Sequence, residues 1–166
     1  MSTIYYDYLQ TPVGKLLLAM NGQGLCHIHF ETGRHPLEPG EDWEPGAGAL
    51  HEARTQLKAY FAGKLTEFDL PLAPQGTDFQ QLVWLELLRI PYGATTTYGT
   101  IARSLGDLQA TRAVGAANGR NPLPIVVPCH RVIGADGSLT GFGGGLPVKR
   151  FLLDHEQRYS TFALAP

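Results

Sequence analysis

One stretch of this 166-residue chain gathers the groups that do nucleophilic chemistry. Asn121-Pro-Leu-Pro-Ile-Val-Val-Pro-Cys129-His130-Arg131-Val132 opens on a polar residue, runs through apolar positions, and ends on a thiol, an imidazole and a guanidinium side by side. An ordinary thiol is only a few per cent thiolate at pH 7, so a nucleophilic cysteine needs positive charge, a base or helix-terminal N–H groups nearby. His130 and Arg131 are suited to supply them, beside a thiol this pattern predicts to be exposed. Neighbouring residues rarely face each other, so the spacing predicts contact between His130 and Cys129 through a bridging water. A histidine base usually leans on a carboxylate. The C-terminal helix pattern Val148-Lys-Arg-Phe-Leu-Leu-Asp-His-Glu156 turns Val148, Phe151, Leu152 and His155 inward, which favours Glu156 over the outward Asp154. Spacing alone leaves a structural and a catalytic Cys–His pair both standing.

The surrounding elements follow from composition and period. The chain is long enough for one domain or two small ones. With 43% apolar and 17% charged residues and no long apolar run, it is expected to be soluble. The N-terminus lacks a signal-peptide pattern, which predicts a cytoplasmic protein. Lys15-Leu-Leu-Leu-Ala-Met20, the turn signal Asn21-Gly22, and Leu25-Cys-His-Ile-His-Phe30 predict a small antiparallel sheet. Thr32–Gly48 is a Gly/Pro-rich acidic loop. Leu50, Ala53, Leu57, Tyr60 and Phe61 recur at helical spacing before Gly63, predicting a helix over the sheet. Glu67–Leu70 reads as a short strand. The Pro- and Gly-bearing segment after it marks a boundary, giving a domain over 1–72, a linker over 73–78 and a second domain over 79–166.

In the second domain Asp78 is the expected N-cap of a helix over Phe79–Arg89, with Phe79, Leu82, Val83, Leu87 and Ile90 inward. Thr97–Leu105, the break at Gly106-Asp107, and a helix from Ala110 to Asn118 suggest a helix-turn-helix. Gly115 within the second helix is costly by about 1 kcal/mol relative to Ala, which predicts a close neighbour, either a packed helix or DNA. Net charge is −2, yet from Tyr98 to Arg150 six bases face only Asp107 and Asp136, so a polyanion would dock on the second half. Lys149, Arg150 and Arg158 are expected on a solvated helix face. Cys26, His27 and His29 alternate along a strand, so Cys26 faces the core with Ile28 and Phe30, and a metal site there is not expected.

Pro128-Cys-His-Arg-Val-Ile133 resembles the active-site signature of the O6-alkylguanine-DNA alkyltransferases. Ile90-Pro-Tyr-Gly93, Tyr98, Arg112-Ala-Val-Gly115, Asn121-Pro, Gly141-Phe-Gly-Gly-Gly-Leu146 and Leu152-Leu-Asp-His-Glu156 follow in that family's order and spacing. The resemblance covers the second half and is loose in the first. It implies an α+β protein: a small N-terminal α/β, ribonuclease H-like domain, then a mostly helical C-terminal domain with the helix-turn-helix. It implies DNA repair by stoichiometric transfer of an alkyl group from O6-alkylguanine, with O4-alkylthymine left open, in double-stranded DNA to Cys129. His130 and Glu156 would draw off the thiol proton, and Asn121 would brace the active segment. Tyr98 would crowd the phosphate and donate to the base. Arg112 would fill the gap left by the flipped nucleotide, with Ala113, Gly115 and Asn118 on the DNA-binding helix. The carbonyls of Cys129 and Val132 and the N–H of Gly143 would read the base, and Phe142 would wall the pocket. Phe142 and Gly143 depart from the family pattern in a direction that implies a roomier pocket. Asn118 stands where relatives can carry an apolar wedge. No cofactor and no metal are implied, nor a membrane. The expected state is a monomer, with clustering on DNA open. A non-catalytic sensor of alkylated bases and a thiol hydrolase are the competing functions: the first would lack the acceptor thiol, the second would turn over repeatedly.

Overall fold

The structure, a computed structural model, describes residues 3–31 and 38–164, so residues 32–37 of the expected loop lie outside it. Strands β1 (Tyr5–Thr11), β2 (Gly14–Asn21) and β3 (Gly24–Phe30) form antiparallel hairpins, and a short β4 (Glu44–Pro45) joins β1 in parallel, giving the order β3-β2-β1-β4. The Asn21 side chain makes the second turn by accepting from the N–H groups of Gln23 and Gly24 at 2.8 and 3.1 Å. Glycine is required at position 24: its φ is +154°, and a Cβ there would lie 2.5 Å from the Pro71 carbonyl oxygen.

Helix α1 (His51–Phe61) lies against this sheet through Leu50, Ala53 and Leu57, all buried in the same core as Leu9, Leu16 and Leu18. Arg54 adds an ion pair with Asp7 at 2.8 Å. The expected strand over Glu67–Leu70 does not form. The Gln56 side chain bonds both the N–H and the carbonyl of Asp69, taking the place of a strand partner. Pairing with β3 begins two residues later, where Leu25 donates to Pro71 and Ala73 donates to Leu25.

The second half is helical. Helix α2 (Asp78–Leu88) is capped by Thr77, not by Asp78: Thr77 accepts from the Gln80 N–H while the Gln80 side chain accepts from the Thr77 N–H, a reciprocal capping box. Val83, Trp84, Leu87 and Ile90 are buried, whereas Leu82 is exposed, because Trp84 occupies the inward position and donates its indole N–H to the Ala117 carbonyl at 2.9 Å. Strand β5 (Thr96–Thr97) leads into α3 (Tyr98–Ser104), a 3-10 turn (Leu108–Ala110) and α4 (Thr111–Gly119), the expected helix-turn-helix. A 3-10 turn at Cys129–Arg131, strand β6 (Val132–Ile133) and the long α5 (Leu146–Leu164) complete the chain. Buried side chains of both halves merge into one core, and the free edge of β3 is taken by the second half through Ile28 N–H to the Pro122 carbonyl at 2.9 Å. No helix among the described residues is long and apolar enough to cross a membrane.

Candidate active site around Cys129

The path into the site is a strained loop. After α4 the Asn121 amide donates to the Val127 carbonyl at 2.8 Å, and its oxygen accepts from Leu123 N–H at 2.9 Å. Between these anchors Ile125 sits at φ +77°, a left-handed conformation that costs a β-branched residue of order 1–3 kcal/mol. The two bonds of Asn121 and the burial of Leu123, Ile125 and Val127 hold it there. Both bonds lie within the segment that delivers Cys129.

Strand β6, directly after the Cys129 turn, pairs in parallel with β5, directly before Tyr98, with Thr96 opposite Val132 and Thr97 opposite Ile133. This short ladder brings the start of the helix-turn-helix to the thiol. Cys129 lines a cavity of about 660 Å³ together with Tyr98, Gly115, Asn118, Asn121, Phe142 and Gly143, and with His29 and Phe30 from β3. Phe142 packs on Phe30, ring centroids 5.6 Å apart, so the first domain supplies part of the wall. Tyr98 and Thr140 hydroxyls meet at 2.8 Å at its rim.

The thiol is not exposed as expected: Cys129 is 5% accessible. Burial pushes its pKa up to about 11, opposed by the Asn121 side chain and the positive charge of Lys149. His130 is fully buried, with Nε2 2.7 Å from Glu156 Oε2. A carboxylate only accepts, so Nε2 carries the hydrogen and Nδ1 is the accepting nitrogen of the neutral ring. Nδ1 is buried and has no hydrogen-bond partner among the described residues. Burial lowers the His130 pKa, with Glu156 acting against it and Arg131 and Lys149 with it.

Glu156 is the hub. Its Oε1 accepts from Arg131 Nε at 2.7 Å and from the Gly93 N–H at 3.4 Å; its Oε2 accepts from His130, from Arg131 Nη2 at 3.0 Å and from the Tyr60 hydroxyl at 2.7 Å. Burial would raise its pKa, but the hydrogen bond from His130 and the bonds and charge of Arg131 outweigh this and hold the carboxyl well below the glutamate range. Asp154 is exposed, as the helix period predicts. Arg131 also donates to the Ile90 carbonyl at 2.7 Å and stacks over Tyr92.

Several expectations are corrected. Lys149 is not on a solvated face: it is 0% accessible and donates to the carbonyls of Val132 and Thr140 at 2.6 and 2.8 Å, while Arg150 and Arg158 are exposed. The Val132 carbonyl, expected at the base edge, is therefore engaged by Lys149, and Val132 is buried under the β5–β6 ladder rather than in the cavity wall. Asn118 is buried in the cavity wall, with Nδ2 3.5 Å from the Cys129 carbonyl oxygen, so it meets the backbone of the active segment. A Cβ at Gly115 would meet the Tyr98 ring at the start of α3 at 3.8 Å, an ordinary contact, and the glycine also opens onto the cavity. Arg112 and Ala113 are exposed at the start of α4. Cys26 is buried with Ile28 and Phe30 as expected, and His27 stacks on Trp43. Among the described residues no group of three or more His, Cys, Asp or Glu side chains could hold a metal ion. Besides His29, Phe30 and Thr140 around the cavity, Tyr60 and Lys149 are site residues that sequence reasoning missed. Each lay inside a correctly predicted helix, but nothing in the pattern marked it as belonging to the site.

Comparison with known proteins agrees with this architecture. Residues 4–74 match the ribonuclease-like domain of 6-O-methylguanine DNA methyltransferase, and residues 78–158 match the DNA binding domain of the same family. A methylated-DNA–protein-cysteine methyltransferase of Methanosarcina barkeri is 53% identical over 154 residues, covering 93% of this chain and 98% of the relative. The enzyme of the same name from Mycobacterium tuberculosis is 52% identical over 155 residues, covering 93% of each. The crystal structure of the M. tuberculosis O6-methylguanine methyltransferase superposes with a TM-score of 0.87 at 50% identity, covering 99% of this chain and 96% of that one. A structure of M. tuberculosis OGT in complex with DNA gives 0.87 at 50% identity, over 93% and 94% of the two chains.

Proposed function

The chain belongs to the 6-O-methylguanine DNA methyltransferase family, and from that premise we propose that Cys129 is the acceptor to which it transfers an alkyl group from the O6 atom of guanine in duplex DNA. Its activity is DNA repair by alkyl transfer to a cysteine. The observation that carries the assignment of Cys129 is the buried contact of His130 Nε2 with Glu156 Oε2 at 2.7 Å, beside a thiol in a cavity wall. In that arrangement the neutral imidazole takes the Cys129 proton through a water at Nδ1, and Glu156 and its hydrogen-bond partners stabilise the imidazolium that results.

The thiolate then attacks the alkyl carbon. A carbon–sulfur bond forms as the carbon–O6 bond breaks, and the electron pair stays with guanine, which is reprotonated from the site; Tyr98 is the donor the geometry offers. The product is a thioether, which water does not cleave, so each molecule repairs one base. Arg112, exposed on a helix of small residues, fills the stack when the nucleotide is flipped, and Gly115 keeps the cavity open beneath it. The cavity, bounded by Phe142 and by Gly143 without a side chain, is open enough for adducts larger than methyl. This reading carries with it a monomer acting on duplex DNA in the cytoplasm.

Mass spectrometry after mixing the protein with a duplex carrying one O6-methylguanine tests it. The expected result is one methyl group on the Cys129 peptide, stoichiometric with lesion loss. Binding without mass gain would replace the acceptor reading with lesion sensing, and repeated turnover would replace it with hydrolysis.

A further inference from the structure

We propose that Tyr60, contributed by the N-terminal domain, is a positioning residue of the alkyl-transfer site: its hydroxyl fixes Glu156 Oε2 and so sets the proton affinity of His130. The inference rests on the reading of Cys129 as the acceptor and of His130 as its base.

Tyr60 lies on α1, 96 residues from Glu156, and is the largest fully buried side chain in the core. Its hydroxyl meets Glu156 Oε2 at 2.7 Å, the same oxygen that lies 2.7 Å from His130 Nε2. The ring cannot swing away. Phe61, Phe68, Tyr92 and His155 pack around it with centroids 5.1–6.2 Å distant, and His155 Nε2 lies 2.8 Å from the Tyr60 carbonyl, pinning the backbone to α5. Burial and the neighbouring carboxylate raise the phenol pKa far beyond the working range, so Tyr60 is a permanent donor.

A carboxylate oxygen bonded by a neutral donor has less charge to offer its other partners. Tyr60 therefore weakens the hold of Glu156 on the His130 proton and keeps the imidazole neutral, the form that accepts from Cys129. The other titratable groups facing this network are Arg131 on the 3-10 turn, Lys149 and His155 on α5, Cys129 itself and Tyr92 after α2. None of them occupies the place of the Tyr60 hydroxyl, and the first domain thereby takes part in the chemistry of the second.

The test compares the parent protein, Tyr60→Phe, and the protein with 3-fluorotyrosine at position 60, a more acidic phenol and stronger donor. The rate of methyl transfer from an O6-methylguanine duplex is followed from about pH 5 to about pH 9, where a histidine-controlled limb falls. Loss of the hydroxyl raises the apparent pKa of the acid limb by about half a unit or more, slowing transfer roughly threefold on that limb. Fluorination moves the limb the other way, and affinity for undamaged duplex is unchanged in both. A Tyr60→Phe profile that superimposes on the parent, or a fluorinated protein that shifts in the same direction as the Phe variant, overturns the proposal. If Tyr60→Phe does not fold, the fluorinated protein decides: a downward shift supports the proposal and an unmoved limb overturns it. A parent protein that transfers no methyl group fails at the acceptor reading itself, before Tyr60 is in question.

Discussion

Lys149 Nζ lies 2.6 Å from the Val132 carbonyl oxygen, with the lysine side chain wholly enclosed. That bond ties α5 to the strand leaving Cys129, and it places a buried cation near a buried thiol. Burial lowers the Lys149 pKa and the Cys129 thiol raises it again, so the two groups favour each other's charged forms.

Lys149→Met should therefore act on both stability and reactivity. It leaves the Val132 and Thr140 carbonyls without this donor, at a cost of about 1–3 kcal/mol for each group left unsatisfied. It also removes the charge that opposes the upward shift of Cys129, so the pH at which the thiol becomes reactive rises. Urea denaturation reads the first effect, and the pH dependence of Cys129 modification by iodoacetamide reads the second. An unmoved thiol pH dependence would show that Lys149 matters only to packing.

Glu156→Gln should destabilise the protein by roughly 3–5 kcal/mol at neutral pH, because it leaves the Arg131 guanidinium buried without its counter-charge. The acid dependence should change as well. The native carboxyl is held below its unfolded value, so the unfolded chain binds the proton first as pH falls. The stability this residue contributes is full above about pH 5 and is lost progressively below about pH 4.3. Denaturation of parent and variant at neutral and acid pH should give a shallower acid loss in the variant; identical slopes would contradict the assignment.

Arg112→Ala should slow repair of duplex DNA while sparing reaction with free O6-benzylguanine, which needs no flipping. A lost plug in the base stack is worth up to a few kcal/mol, so the duplex rate should fall by roughly tenfold or more. Equal slowing on both substrates would place Arg112 in the pocket chemistry instead.

Methylation of Cys129 should lower the melting temperature. The thiol is enclosed, and an added carbon in a packed site costs about 1–3 kcal/mol, which for a chain of this size corresponds to a fall of about 2–12 °C. Calorimetry after stoichiometric repair measures it, and an unchanged transition would mean that the cavity absorbs the methyl group.

Much of this molecule is written in local pattern. Alternation along residues 24–30 puts Cys26, Ile28 and Phe30 on the core face, the period of the last helix turns Glu156 inward and Asp154 out, and Gly106-Asp107 breaks the helix-turn-helix. The capping pair Thr77 and Gln80 was equally local, yet the neighbouring Asp78 suited the same role by residue type, and only the hydrogen bonds separated them.

The resemblance to the family brought the fold class and the acceptor candidate Cys129 out of the sequence by itself, and strand and helix periods determined which way a side chain points. What stands across from it they do not decide. A lysine in a helix ordinarily belongs in water, and Lys149 is buried only because two carbonyls from other segments converge on it. Tyr60 reads as one more aromatic of an amphipathic helix until the packing of two domains sets its hydroxyl against Glu156. Such positions depend on contacts between distant parts of the chain, and the tertiary structure alone supplies them.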